Sequence, residues 1–200
     1  MKPAMTIEKL RSKMPTTIVA LGDSLTDGWM VDLGYLDFLE KMIRATYLGS
    51  TFNLVNRGIS GDTAEGGLQR LERDVLVLHP DCVFVQFALN DAFSGYSTED
   101  YRKNIELIIK KIGTRSNADI LLITSVCLID AHQDEVMMTY YDELDALAEQ
   151  YKLPIVKVHE YWKSKISEGI AVSDLTLHDL THPNEEGYRL MAEVIMELFL

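Results

Sequence analysis

The chain has 200 residues, of which 47% are apolar and 25% charged, the profile of a soluble globular protein. Its 31 Asp and Glu outnumber 19 Lys and Arg, a formal net charge of −12. With no basic cluster, that balance excludes nucleic acid and anionic membrane surfaces as natural partners, since both are met by Lys and Arg, and it disfavours a polyanionic substrate.

One domain is expected over residues 1–200, with residues 1–15 as an N-terminal extension. Within it Ile7, Leu10 and Met14 are spaced as on one face of a short helix. Glu8, Lys9, Arg11 and Lys13 interrupt the apolar core that a signal peptide needs, and no stretch approaches the roughly 20 apolar residues of a membrane helix. Five short apolar runs follow, at 17–21, 52–55, 82–87, 120–124 and 155–158. Each is rich in β-branched or aromatic residues and bounded by polar residues, Gly or Pro, which predicts buried strands.

Helical spacing fills the intervals at 35–46, 67–78, 98–112, 133–151 and 184–200. The clearest case carries Tyr101, Ile105, Ile108, Ile109 and Ile112, with Thr98 as its expected N-cap and Gly113 as its expected stop. Strict alternation of strand and helix predicts an α/β fold: an open parallel sheet with helices on both faces. Cys82 opens the third strand and Cys127 lies just past the fourth, at opposite sheet edges and too far apart for a disulfide. Two reduced thiols point to a cytoplasmic protein.

In such a sheet ligands bind beyond the carboxyl ends of the strands. The segments there are Gly22-Asp23-Ser24-Leu25-Thr26-Asp27-Gly28, Asn56-Arg57-Gly58-Ile59-Ser60-Gly61-Asp62-Thr63, Ala88-Leu89-Asn90-Asp91, Ser125 to His132, and His178 to Asn184. They bring Ser, Asp and His to one edge. A Ser hydroxyl becomes a nucleophile when a base takes its proton, and the base is held in the right tautomer by a carboxylate on its other ring nitrogen.

Gly22-Asp23-Ser24-Leu25 is the GDSL motif, and from about residue 16 to 200 the chain resembles the SGNH (GDSL) hydrolases. The resemblance implies a three-layer α/β/α sandwich on a five-stranded parallel sheet of flavodoxin-like order. It implies Ser24 as nucleophile, His182 as base and Asp179 as its orienter, from Asp-x-x-His-Pro. It also implies an oxyanion hole from the N–H of Ser24, Gly61 and the Asn90 amide, with Gly58 a rival for the Gly61 role. The third block usually reads Gly-x-Asn-Asp. Here its first residue is Ala88, which is strained if that backbone needs a positive φ.

Bland readings stand beside these: Ser24 as a helix cap, Asp23 and Asp27 as capping acids, Gly61 as a turn residue. His178 and His182 are four apart, as in a metal pair on a helix, but Pro183 argues against a helix there, so no metal is expected. His132 and His159 are more readily surface residues than ligands, and His79 falls at the wrong sheet edge. Trp29, Met30, Phe93, Tyr96, Ile129 and His132 are the candidate pocket lining, apolar and poor in positive charge.

The expected function is a serine esterase for short-chain carboxylic esters, acetylated carbohydrates among them, working through an acyl-enzyme without metal or organic cofactor. The alternatives are a lysophospholipase or thioesterase of the same family, or a catalytically weak carbohydrate-binding module. The expected partner is a small-molecule ester, and a homo-oligomer is left open. Asp23, Asp27, Asp62, Asp91 and Asp179 all fall on the expected catalytic edge, so part of the acidity is expected to act there, favouring the His182 imidazolium and repelling anions.

Overall fold

In a computed structural model that describes all 200 residues, the first element is α1 (Ala4–Arg11). Ile7 and Leu10 are buried as their spacing predicts, while Met14 lies beyond the helix and is exposed. Polar ties fix α1 to the amino-terminal sheet edge: the Thr6 hydroxyl donates to Asp119 at 2.7 Å and Lys9 pairs with Asp81 at 2.6 Å.

The chain continues through β1 (Thr16–Gly22), the one-turn α2 (Ser24–Asp27), α3 (Tyr35–Thr46), β2 (Phe52–Gly58) and α4 (Ala64–Asp74). After a 3-10 turn at Leu76–Leu78 come β3 (Cys82–Gln86), α5 (Leu89–Phe93), α6 (Thr98–Arg115), β4 (Asp119–Ile123) and α7 (Ala131–Tyr151). The two-residue β5 (Ile155–Val156), α8 (Val158–Ser167), a 3-10 turn at Val172–Asp174 and α9 (Glu185–Glu197) complete it. All strand pairs are parallel and the order is β2-β1-β3-β4-β5. The chain leaves β1 toward β2 on one side and returns to β3 on the other, so strand order reverses at β1 and a crevice opens between the carboxyl ends of β1 and β3. No helix is long and apolar enough to cross a membrane.

The core lies on both faces of the sheet. Every residue of β3 and all but Thr17 of β1 are buried. On α6 the five apolar residues of the repeat are all buried, each worth about 1.5–3 kcal/mol relative to exposure. Cys82 and Cys127 are both buried and free.

Local chemistry moves several boundaries. The Thr63 hydroxyl accepts from Gly66 N–H, starting α4 three residues before the expected position, and the chain tightens into a 3-10 turn after Asp74. Ser97, not Thr98, caps α6 by accepting from Asp100 N–H at 3.1 Å. Gly113 does not stop that helix: it lies inside it on the exposed face, where missing contacts cost little. β2 runs to Gly58, so Asn56 and Arg57 are strand residues. β5 ends at Val156, and Val158 begins α8.

Two backbone positions set the edge where the site lies. A Cβ on Gly58 would stand 2.1 Å from the Asp27 nitrogen, so only glycine lets α2 fold down against the end of β2. Ala88, the cap of α5, is fully buried at φ 140° and ψ −42°. That conformation suits glycine, and the strain that the sequence raised as a condition is present.

Replacing Ala88 with Gly is therefore expected to stabilise the protein by about 1 kcal/mol, the strain released being partly offset by the lost methyl and added chain entropy. Urea unfolding measures it; an Ala88→Gly midpoint below wild type would mean that the backbone there is not strained.

Candidate active site

β1 delivers the chain to Gly22, and Asp23 then caps α2, its Oδ1 accepting from Leu25 N–H at 2.9 Å. Ser24 is the first residue of that turn and only 6% exposed. Its Oγ stands 3.0 Å from His182 Nε2. Tyr188, buried on α9, directs its hydroxyl to the Ser24 carbonyl.

The histidine rides on the loop before α9. His182 Nδ1 lies 2.6 Å from Asp179 Oδ2, while Asp179 Oδ1 accepts from the backbone N–H of Thr181 and of His182, both at 3.0 Å. With a proton on Nδ1 facing the carboxylate, Nε2 is left to accept from the Ser24 hydroxyl. Burial acts to push the Asp179 carboxyl up, but the hydrogen bonds from Thr181 and His182 outweigh it and hold the group below the usual carboxylate range. A backbone bond from Leu177 N–H to the His182 carbonyl, a Thr176–Pro183 bridge and the Asn184 cap of α9 fix the loop. The Trp29 ring packs on the imidazole at 4.3 Å between centroids.

Gly61 sits at φ 82° on the loop between β2 and α4, and neither its N–H nor that of Ser24 has a hydrogen-bond partner. Asn90 lies in the first turn of α5 and spends one amide hydrogen on the Asp62 carbonyl at 2.9 Å, leaving the other free. Gly58 differs: its N–H is taken by Asn56 Oδ1 at 2.8 Å, which removes it as a rival donor.

The pocket residues are spread out. Met30 borders a depression of about 500 Å³ with Val31 and Leu177; Ile129 borders another of about 430 Å³ with Leu128, Asp179 and Leu180. Phe93 and His132 are exposed, and Tyr96 directs its hydroxyl to Glu65 at 2.6 Å. A larger cavity of about 580 Å³, lined by Lys2, Lys110, Lys152 and Pro154 among others, lies at the opposite sheet edge and contains none of these residues.

Two contributors, Gln86 and Arg70, are not singled out by the sequence, and Asp91 is placed by it on this edge without a partner. Gln86, at the end of β3, gathers Asp23, Ser125 and Thr26 around its amide beneath the Ser24 turn. Asp91 accepts from Ala64 N–H at the start of α4. Arg70 is buried on α4, a cation on an otherwise apolar face, which is the one clue the sequence offers. His159 corrects the expectation of a surface histidine: it is buried on α8, stacked on Tyr141, with Nδ1 2.8 Å from the Thr124 hydroxyl, and burial lowers it to about 4.

The family model of the GDSL-like lipase/acylhydrolase family matches residues 20–190. The chain belongs to that family. This GDSL-like chain is similar to an arylesterase of Vibrio mimicus, 22% identical over 188 residues that cover 93% of this chain and 89% of the relative. An acetylxylan esterase of Geobacillus stearothermophilus is 19% identical over 206 residues, 90% of this chain and 91% of the relative. A crystal structure of an acetylxylan esterase from Geobacillus stearothermophilus shares the fold with a TM-score of 0.82 at 20% identity, over 92% of this chain and 94% of that one. The three-layer sandwich that the sequence implies is the fold observed, and the protein is a carboxylic ester hydrolase of the GDSL-like family.

Asp23 makes a pH prediction. Burial without a cation pushes its carboxyl up to about 7, against the hydrogen bonds from Leu25 and Gln86 and helped by the Asp91 and Asp62 carboxylates. Folding raises this pKa from 3.8, so the native state keeps a proton that the unfolded chain releases, and stability falls as pH climbs from about 4 to about 7. Asp91, raised by burial to about 6, acts in the same direction, and His159 in the opposite one. Asp23→Asn keeps the shape and removes the titration. Its urea midpoint relative to wild type should rise between about pH 5 and pH 8; a flat difference would contradict a raised Asp23.

Proposed function

We propose that the protein hydrolyses short-chain, uncharged carboxylic esters, acetylated carbohydrates among them, with Ser24 as nucleophile, His182 as general base and Asp179 as its orienter. The observation that carries this is the unbroken chain from Ser24 Oγ through the imidazole to Asp179, with links of 3.0 and 2.6 Å. Ser24 Oγ attacks the ester carbonyl carbon while its proton passes to His182 Nε2. The tetrahedral oxyanion forms where the free N–H groups of Ser24 and Gly61 and the second amide hydrogen of Asn90 can meet it. Collapse breaks the ester bond, His182 gives its proton to the departing alcohol, and the acyl group remains on Ser24. Water then attacks with His182 again as base, releasing the acid and restoring the hydroxyl.

The surroundings favour small neutral esters. The depressions beside the Asp179–His182 loop are open to solvent, no lysine or arginine lines either of them, and Asp32, Glu185 and Glu186 border one. The arylesterase and the acetylxylan esterase match nearly the whole chain, whereas a thioesterase 1/lysophospholipase L1 of Escherichia coli matches 56% of it, which favours an ester over a thioester or lysophospholipid. A module that merely binds sugar has no need for a Ser–His contact at 3.0 Å. Two buried free thiols support a reducing cytoplasm as the working compartment.

With p-nitrophenyl acetate, Ser24→Ala is expected to lose at least about 10³-fold in kcat and all labelling by a fluorophosphonate probe. Asn90→Ala is expected to lose about 10²-fold in kcat with KM changed only a few-fold, because its bond strengthens in the transition state. Wild-type turnover in Ser24→Ala would end the assignment.

A further inference from the structure

Arg70 is 7% exposed and uses three of its nitrogens on three different parts of the chain. Nη2 donates to the Gly22 carbonyl at 3.0 Å, the last carbonyl of β1 and two residues before Ser24. Nε donates to Asp62 Oδ2 at 2.7 Å, and Nη1 reaches Asp74 on its own helix at 3.3 Å. The Gly22 carbonyl also accepts from Ile59 N–H, the first residue after β2. Asp62 follows Gly61 directly, and its carbonyl accepts from the Asn90 amide at 2.9 Å. From one guanidinium the bonds therefore run to the nucleophile strand, to the Gly61 loop and, through Asp62, to Asn90.

Resting on the esterase reading above, we propose that Arg70 is a positioning residue that sets the distance between the nucleophile Ser24 and the oxyanion donors Gly61 and Asn90. Three loops from β1, β2 and β3 meet at this edge, and each brings one participant. Only a rigid, planar donor with several N–H groups at fixed angles can tie a carbonyl on one loop and a carboxylate on another in one geometry. A lysine supplies the charge without the fork. The Asp62 carboxylate gains a second purpose from this pairing: with Arg70 against it, a half-buried anion on the residue after Gly61 is balanced by a cation instead of standing alone beside the oxyanion donors.

The test uses the full chain and p-nitrophenyl acetate. Arg70→Met keeps the length of the stem and removes the donors, and should lower kcat at least about tenfold with KM held within about threefold, with Arg70→Lys in between. Because unfolded protein also lowers apparent kcat at constant KM, kcat is taken per folded molecule, with the folded fraction of each variant read from its urea unfolding curve. In an Asn90→Ala background the cost of Arg70→Met should shrink at least about threefold, since one donor it positions is gone. A kcat within about twofold of wild type, or a full and additive loss in the Asn90→Ala background, would overturn the assignment. Should Arg70→Met not fold, Asp62→Asn breaks the same pair from the loop side while keeping its bond to Thr63 N–H, and the same kcat loss and the same non-additivity decide the matter. Ser24→Ala measured alongside separates the two ideas. If it is inactive while Arg70→Met is normal, the Arg70 assignment alone falls; if it keeps wild-type turnover, the esterase reading falls and takes this assignment with it.

Discussion

The contact on which the site depends joins the two ends of the chain. Ser24 and His182 are 158 residues apart in sequence and 3.0 Å apart in space. Nothing local brings them together. Ser24 is placed by β1 at the centre of the sheet, and His182 by a loop whose far end is anchored on α9. That helix packs against α3 and α8: a Cβ on Gly187 would stand 2.7 Å from the Trp162 ring, and Tyr47 on the far side bonds the Phe199 carbonyl. The Tyr188 bond to the Ser24 carbonyl ties α9 directly to the Ser24 turn. Loss of the apolar seat of α9 would therefore displace the histidine before it touched the sheet.

Acidity looks different once each carboxylate has a partner. Five aspartates crowd the carboxyl edge, yet they do not act as five free charges. Asp62 is paired with Arg70, Asp27 accepts from Ser60, Asp91 caps α4, and Asp23 is raised by burial to about 7. Asp179, held below the usual range, is the anion that faces the imidazole. Asp27 stays an exposed anion, since a hydroxyl partner leaves its charge in place, so the site's acidity is unevenly distributed in a way that the sequence could count but not assign.

What could be read from the sequence divides along the same line, between local pattern and distant partner. The span of α3 is legible to the residue because its apolar spacing and flanks coincide; the parallel sheet follows from strict alternation of strand and helix, while its strand order comes only from the resemblance to the family. Ser24 and Asn90 are legible because each lies in a short block just after a strand; Asp179 and His182 follow α8 and a 3-10 turn and are legible only through the Asp-x-x-His-Pro block. The short helices α2, α5 and α8 were not, since one turn carries no period and α8 begins where β5 stops after two residues. Arg70 and Gln86 were not either: their function lies in bonds to residues 8 to 63 positions away. A polar side chain on a buried face reports that a partner exists without naming it.

Strain marks the same edge. Six residues other than glycine have a positive φ. Lys13, His79 and Lys152 lie at or just past helix or turn ends, where a left-handed residue closes the last carbonyls. The other three, Met30, Ala88 and Leu180, sit near the Ser24 turn, at the Asn90 turn and in the Asp179–His182 loop. Each such residue costs about 1–3 kcal/mol unless its surroundings over-determine it. Leu180 shows what that cost secures. With φ at 58°, the chain reverses so tightly that Asp179 Oδ1 accepts two N–H groups of its own loop while Oδ2 still meets the imidazole. A relaxed turn would separate those bonds. The carboxylate and its histidine are thereby pre-assembled within four residues, and the remainder of the fold has only to bring that unit within reach of Ser24.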